Sequence, residues 1–170
     1  MIVTSSYPRR PLVDSDVLIA AWTERRVEPT REDCVAFLEG VENNDGVILI
    51  AAPMIAELLK GTPPLELPRR HSIVPVPFDA KAARVLGKSL PPHVLQVIRD
   101  EAGQPSGYHF KYDALIAACA KRFNADCIIS LNVKHMAPLA THLGLQCRTP
   151  AAYRKARQEA LPLTHGPRTG

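Results

Sequence analysis

The sequence has no apolar run that approaches the ~20 residues needed to span a membrane. Met1 to Arg10 ends on Arg9-Arg10, and no apolar stretch of signal-peptide type follows it. Val17 to Ala21 is apolar, but Asp14, Asp16 and Glu24 flank it. These absences argue against a membrane span and a secretory leader, and a cytoplasmic protein is expected. Paired cysteines are missing as well. Cys34, Cys119, Cys127 and Cys147 stand far apart without a CxxC, whereas a zinc site wants close pairs of ligands. Reduced, buried thiols are the expectation. His71, His93, His109 and His142 make no metal-ligand pattern either. Positive charge is present but not concentrated. The net charge of +4 is spread over pairs such as Arg9-Arg10, Arg25-Arg26, Arg69-Arg70 and Lys121-Arg122, which permits a nucleic-acid partner without requiring one.

What is present is an ordinary globular composition. The chain has 170 residues, 46% of them hydrophobic and 22% charged, enough for one domain with a substantial core. There is no internal repeat and no sign of a second domain. Residues 1–160 are therefore expected to form a single domain, and the tail 161–170, rich in Gly, Pro and Thr, to be flexible.

Short apolar strands alternate with amphipathic helical stretches. Pro11 to Asp14 reads as a first strand, and Asp16 to Trp22 as a helix that follows at once. Thr30 with Asp33 resembles a capping-box start for a helix with Val35, Phe37, Leu38 and Val41 on one face. Asn43 to Gly46 ends it with turn residues. Val47 to Ala51 is a continuous apolar strand; Pro53 then suits the first turn of a helix over Met54 to Lys60, closed by Gly61. Ile73 to Val76 predicts a third strand, and Phe78-Asp79 opens a helix through Leu86. His93 to Glu101 predicts a short helix followed by a flexible turn, and Lys111 to Phe123 a strong helix. Cys127 to Ser130 predicts a fourth strand, Val133 to Leu143 a helix, Leu145 to Cys147 a fifth strand, and Thr149-Pro150 the start of a terminal helix. Strands alternating with helices imply an α/β fold, a parallel sheet of about five strands with helices on both faces.

Ligands of such sheets bind beyond the carboxyl ends of the strands. Asp14 and Asp16 leave the first strand there, and Ser130 and Asn132 leave the fourth. Asp113 falls in the first turn of the helix before the fourth strand. Glu57 sits among Ile55, Ala56, Leu58 and Leu59, where a charge is not expected without a purpose. Carboxylates that converge repel one another unless a cation neutralises them. Oxygen ligands of this kind suit Mg²⁺ or Mn²⁺, and two such ions ~3.5–4 Å apart can stabilise both oxygens of phosphodiester cleavage. Each residue also has an ordinary explanation: Asp14 as a helix cap, Asp16 and Asp113 as first-turn acids, Asn132 as a cap. The joint placement favours a site.

These segments resemble the PIN domain, and especially its VapC-type toxin branch. Leu12-Val-Asp-Ser-Asp-Val-Leu-Ile19 resembles the family's first motif, and Met54-Ile-Ala-Glu-Leu58 its second. Phe78-Asp-Ala-Lys-Ala-Ala83 is similar to the helix start that commonly follows. Tyr112-Asp-Ala-Leu-Ile-Ala-Ala118 matches the third motif closely, and Ser130-Leu-Asn-Val-Lys-His-Met136 resembles the last. The resemblance covers about Leu12 to Pro150. It implies a PIN-like three-layer sandwich and a metal-dependent endoribonuclease with Mg²⁺ or Mn²⁺. Asp14, Glu57 and Asp113 would be the metal-binding acids, Asn132 would hold the fourth position, and Asp16 and Ser130 would support the metal waters. The departures are Asn132, which cannot carry the charge of Asp, His135 in place of a common acid, and Met136 in place of a common aromatic. They count against a tightly held second ion.

The resulting expectation is hydrolysis of an RNA phosphodiester by a metal-activated water. Asp14 and Asp113 would hold the main ion, while Glu57 ligates through water or orients the nucleophile. Lys111, Lys134, Arg25 and Arg26 are candidate phosphate contacts. The family further implies a cognate antitoxin protein and a homodimer. Two rival readings stand beside this one. A PIN fold could be kept as an RNA- or protein-binding scaffold, given Asn132 and His135. A haloacid-dehalogenase-type phosphatase would use Asp14 and Asp16 as nucleophile and acid, but the later Lys and paired acids it requires are not evident.

Overall fold

The computed structural model describes residues 7–23, 30–61, 64–101, 103 and 108–153. Arg25, Arg26 and the tail 161–170 lie outside the described residues, as does the turn expected after Glu101 except for Gly103.

Five short parallel strands form one sheet: β1 (Leu12–Val13), β2 (Ile48–Ala51), β3 (Ile73–Val76), β4 (Ile128–Ile129) and β5 (Cys147–Arg148). Between them run α1 (Ser15–Trp22), α2 (Thr30–Glu42), α3 (Ala52–Lys60), α4 (Ala80–Ser89), α5 (Pro92–Glu101), α6 (Tyr108–Arg122) and α7 (Val133–His142). The helices flank the sheet in a three-layer α/β sandwich, as the alternation predicts.

Strand order is β3-β2-β1-β4-β5, and all pairs are parallel. Leu12 stands beside Leu49 on one side and Ile128 on the other. The chain thus builds outward from β1 in one direction, then returns to build outward from it in the other. The reversal lies between β1 and β4, and in open α/β sheets that crevice is where ligands bind.

The sheet centre is dry. Leu12, Val13, Leu49, Ile50, Ile128 and Ile129 are fully buried, each contributing about 1.5–3 kcal/mol of transfer free energy by its burial. A strand covered on both faces needs such a continuous apolar run. From α2, Cys34, Phe37, Leu38 and Val41 pack into the same core. Tyr7, Phe37 and Tyr153 form an aromatic cluster, with Phe37 and Tyr153 centroids 5.0 Å apart. Gly144, at φ +70°, turns the chain from α7 into β5, a conformation that favours glycine.

At the sheet edge, Pro75 lies inside β3 opposite Ile50. The Ile48 N–H donates to the Ser72 carbonyl at 2.6 Å. The parallel ladder therefore points the Val74 and Val76 amides at β2 and the Pro75 nitrogen at the open edge, where no donor is needed.

Several expectations shift. α6 begins at Tyr108, a turn before the Lys111 start read from sequence, so Asp113 lies in its second turn and the first turn carries no acid. β5 runs over Cys147–Arg148 rather than Leu145 to Cys147. Thr30 is already inside α2, which puts its cap outside the described residues. Glu57 is not enclosed by apolar neighbours. Met54 and Leu58 form the buried face of α3, while Leu59 is 49% exposed and Ala56 is exposed. Of the thiols, Cys34, Cys119 and Cys127 are buried and Cys147 only half-buried. Burial pushes Cys119 up to about 11 and Cys147 up to about 12, so all but a trace of each thiol stays protonated near neutral pH.

Candidate active site

Asp14 follows directly on β1 and caps α1. Its backbone N–H donates to the Ile129 carbonyl at 2.8 Å, which extends the sheet ladder one step past the strand. Its φ of −74° and ψ of 156° are extended, and Oδ1 accepts the Ser15 N–H at 2.8 Å. Asp14 thus stands at the cap position, although its oxygen serves the first helical amide rather than the second or third. This bond occupies only one oxygen.

Oδ2 accepts from the hydroxyl of Ser130, the first residue after β4, at 2.9 Å. The same hydroxyl lies 3.3 Å from Asp16 Oδ2. One hydroxyl carries one proton and can satisfy one carboxylate at a time. Asp16 Oδ2 also accepts the N–H groups of Leu131 and Asn132, each at 3.0 Å, so the acid of α1 ties down the β4–α7 turn. Among the described residues, Asp16 Oδ1 is buried with no hydrogen-bond partner.

The electrostatics follow from this crowding. Asp14 is only 7% exposed. Burial raises its pKa to about 7, with Asp16 and then Asp113 adding repulsion against the Ser130 and Ser15 hydrogen bonds. Asp16 is raised too, chiefly by burial, against the pull of the Leu131, Asn132 and Ser130 donors. A buried carboxyl group beside a half-buried one favours keeping a proton unless a positive charge arrives.

Glu57 joins through a residue that sequence reasoning missed. Its Oε2 accepts the Ser15 hydroxyl at 2.8 Å, while the Ser15 amide serves Asp14. Ser15 thereby links α3 to the start of α1. Its place between two acids at a helix start was the available signal. Asp113 acts on Asp14 through its charge, and it is half-buried on α6.

Asn132 takes the N-cap position of α7 without a side-chain cap bond. Its side-chain nitrogen instead meets His135 Nδ1 at 2.8 Å. Lys111 and Lys134 are exposed.

The predicted residues thus divide by contact. Asp14, Asp16 and Ser130 touch directly, Glu57 is reached through Ser15, Asp113 is felt through charge, and Asn132 joins through its backbone N–H. Among the described residues, no three His, Cys, Asp or Glu side chains form a ready-made metal cage, and no helix is long and apolar enough to cross a membrane.

No protein-family model matches the chain, and no curated protein sequence matches it.

Proposed function

We propose that this protein is a PIN-type, Mg²⁺- or Mn²⁺-dependent endoribonuclease, acting as the toxin of a VapBC-type pair. The observation that carries the reading is the group of buried Asp14 and Ser130 with half-buried Asp16 at the reversal point of the sheet, where the buried Asp16 Oδ1 has no partner among the described residues. A fold does not keep a buried carboxylate beside a second, half-buried one for stability, since that arrangement costs free energy.

The donor set fits a hard divalent cation: every side-chain donor is oxygen, one buried oxygen is unpartnered, and negative charge is in excess. The sequence pairs Asp113 with Asp14 at the ion; the unpartnered Oδ1 supports Asp16 in that place instead, so Asp14 and Asp16 would hold the ion and Asp113 and Glu57 would reach its waters. Mg²⁺ is usually bound in this way, by one or two carboxylates together with waters and substrate phosphates. When bound, such an ion supplies an activated water and neutralises phosphate charge.

The chain's own residues do the rest. Ser130 holds the Asp14 carboxylate in place from β4, and Ser15 fixes Glu57, which orients the attacking water and accepts its proton. Exposed Lys111 and Lys134 meet the RNA backbone. The toxin assignment, with its antitoxin and homodimer, is supported by the motif resemblance. Co-purification of a small partner protein that abolishes cleavage tests it.

The deciding experiment incubates a mixed single-stranded RNA with Mg²⁺, with Mn²⁺ and with chelator, beside Asp14→Asn and Asp113→Asn. Metal-dependent cleavage that is lost in both variants is expected. One observation favours the scaffold reading instead: the Asn132 side chain is committed to His135. RNA binding that persists in chelator, with no cleavage under any condition, would establish that alternative.

A further inference from the structure

We propose that His135 grips the RNA backbone beside the acid group, donating from Nε2 to a phosphodiester oxygen. This rests on the RNA reading above. A side-chain amide nitrogen donates and does not accept. With Asn132 Nδ2 at 2.8 Å from His135 Nδ1, Nδ1 is the acceptor and the proton of the neutral ring sits on Nε2. One ring nitrogen remains for a ligand, and it is a donor.

The partner is committed to this task. Asn132 occupies the cap position of α7 but makes no side-chain cap bond. The His135 and Met136 amides donate instead to the Asn132 backbone carbonyl, at 3.1 and 3.2 Å, which leaves the Asn132 side chain free for the ring. The Asn132 N–H also lies 3.0 Å from Ser130 Oγ, so the imidazole is held one side chain away from the buried carboxylates. Histidine at this place offers a donor to phosphate, and most contacts that position nucleic acid are made to its backbone.

The opposite amide orientation would leave Nε2 a bare acceptor, which a phosphate repels. Imidazole ¹⁵N shifts of the whole protein distinguish the two tautomers, and the Nε2–H form is expected.

The binding test uses fluorescence anisotropy of a labelled single-stranded RNA in Mg²⁺, in the Asp113→Asn background to suppress cleavage. His135→Ala and His135→Asn are expected to weaken binding about tenfold. His135→Gln, whose amide nitrogen reaches the position of Nε2, should stay within about threefold of the parent. Circular dichroism checks that each variant is folded. Equal binding by all four proteins overturns the proposal, as does His135→Gln falling with the others, which would mean the ring only packs. No RNA binding by the parent overturns it as well. Failure of the nuclease reading looks different: wild-type protein would leave RNA intact while the His135 dependence of binding remained.

Discussion

Asp14 and Asp79 both begin helices, and locally they are alike. Each sits in extended backbone, at ψ 156° and 177°, and each accepts one backbone N–H at 2.8 Å, from Ser15 and Ala82. Their surroundings differ. Asp79 is 31% exposed and lies 3.1 Å from the Arg122 guanidinium, and the Ala82 amide together with Arg122 holds its carboxyl below the ordinary range. Asp14 is buried beside a second aspartate and pushed the other way, to about 7. A cap needs one oxygen and an N–H. Whatever exceeds that need around Asp14, the burial and the repulsion from Asp16, is what supports the proposed site there.

The comparison breaks most sharply on activity. Asp14→Asn is expected to reduce metal-dependent RNA cleavage by on the order of 100-fold or more, and Asp79→Asn to leave it within about threefold. Equal losses would show that Asp14 acts only as a cap. A smaller effect isolates Ser15. Ser15→Ala should lower kcat by about tenfold through a misplaced Glu57 while the thermal midpoint moves little, and Ser15→Thr should recover most of the rate. Unchanged turnover in Ser15→Ala would detach Glu57 from the mechanism.

On stability the ranking reverses. Asp79→Ala should lower the thermal midpoint by about 2–4 °C for a chain of this size, through loss of its cap bond to Ala82. Asp14→Asn in chelator should cost less, or stabilise, because it removes a buried charge.

The smallest effect is in the pH slope, and its sign differs between the two caps. Asp14 binds its proton more tightly folded than at the ordinary 3.8. Its contribution is therefore full below about pH 4 and is lost as pH rises through about 7. Asp79 binds its proton less tightly when folded, so its contribution is present above the ordinary value and is lost as acid protonates it. Urea midpoints measured in chelator from pH 4 to 8 should show Asp14→Asn flattening the fall toward neutral pH. Added Mg²⁺ should restore stability at pH 8, since a ligand of the native state stabilises it. A wild-type curve that does not fall above pH 5 would sink the Asp14 assignment.

Much of this site was legible because a strand end is a local event. Apolar runs stop at Val13 and Ile129, and the polar residues that follow, Asp14 and Ser130, are placed by the sheet itself. The contacts of Asp16 with Leu131 and Asn132 were not legible. They join residues 115 and 116 positions apart and depend on β1 and β4 being neighbours, which no local pattern states. The α6 start was misread because the glycine and proline around Gln104 to Gly107 masked where the helix begins. That error mattered: with Asp113 in the second turn, favourable interaction with the helix N-terminus no longer explains it. Glu57 was chosen partly for the wrong reason. Its neighbours Ala56 and Leu59 face outward, and its tie to Ser15 is the stronger ground.

Pro75 has a consequence for how this molecule meets its own copies. With a nitrogen that cannot donate turned to the open side of β3, that margin offers an incoming strand an interrupted ladder. Growth of the sheet by strand addition is thereby disfavoured on the β3 flank relative to the β5 flank.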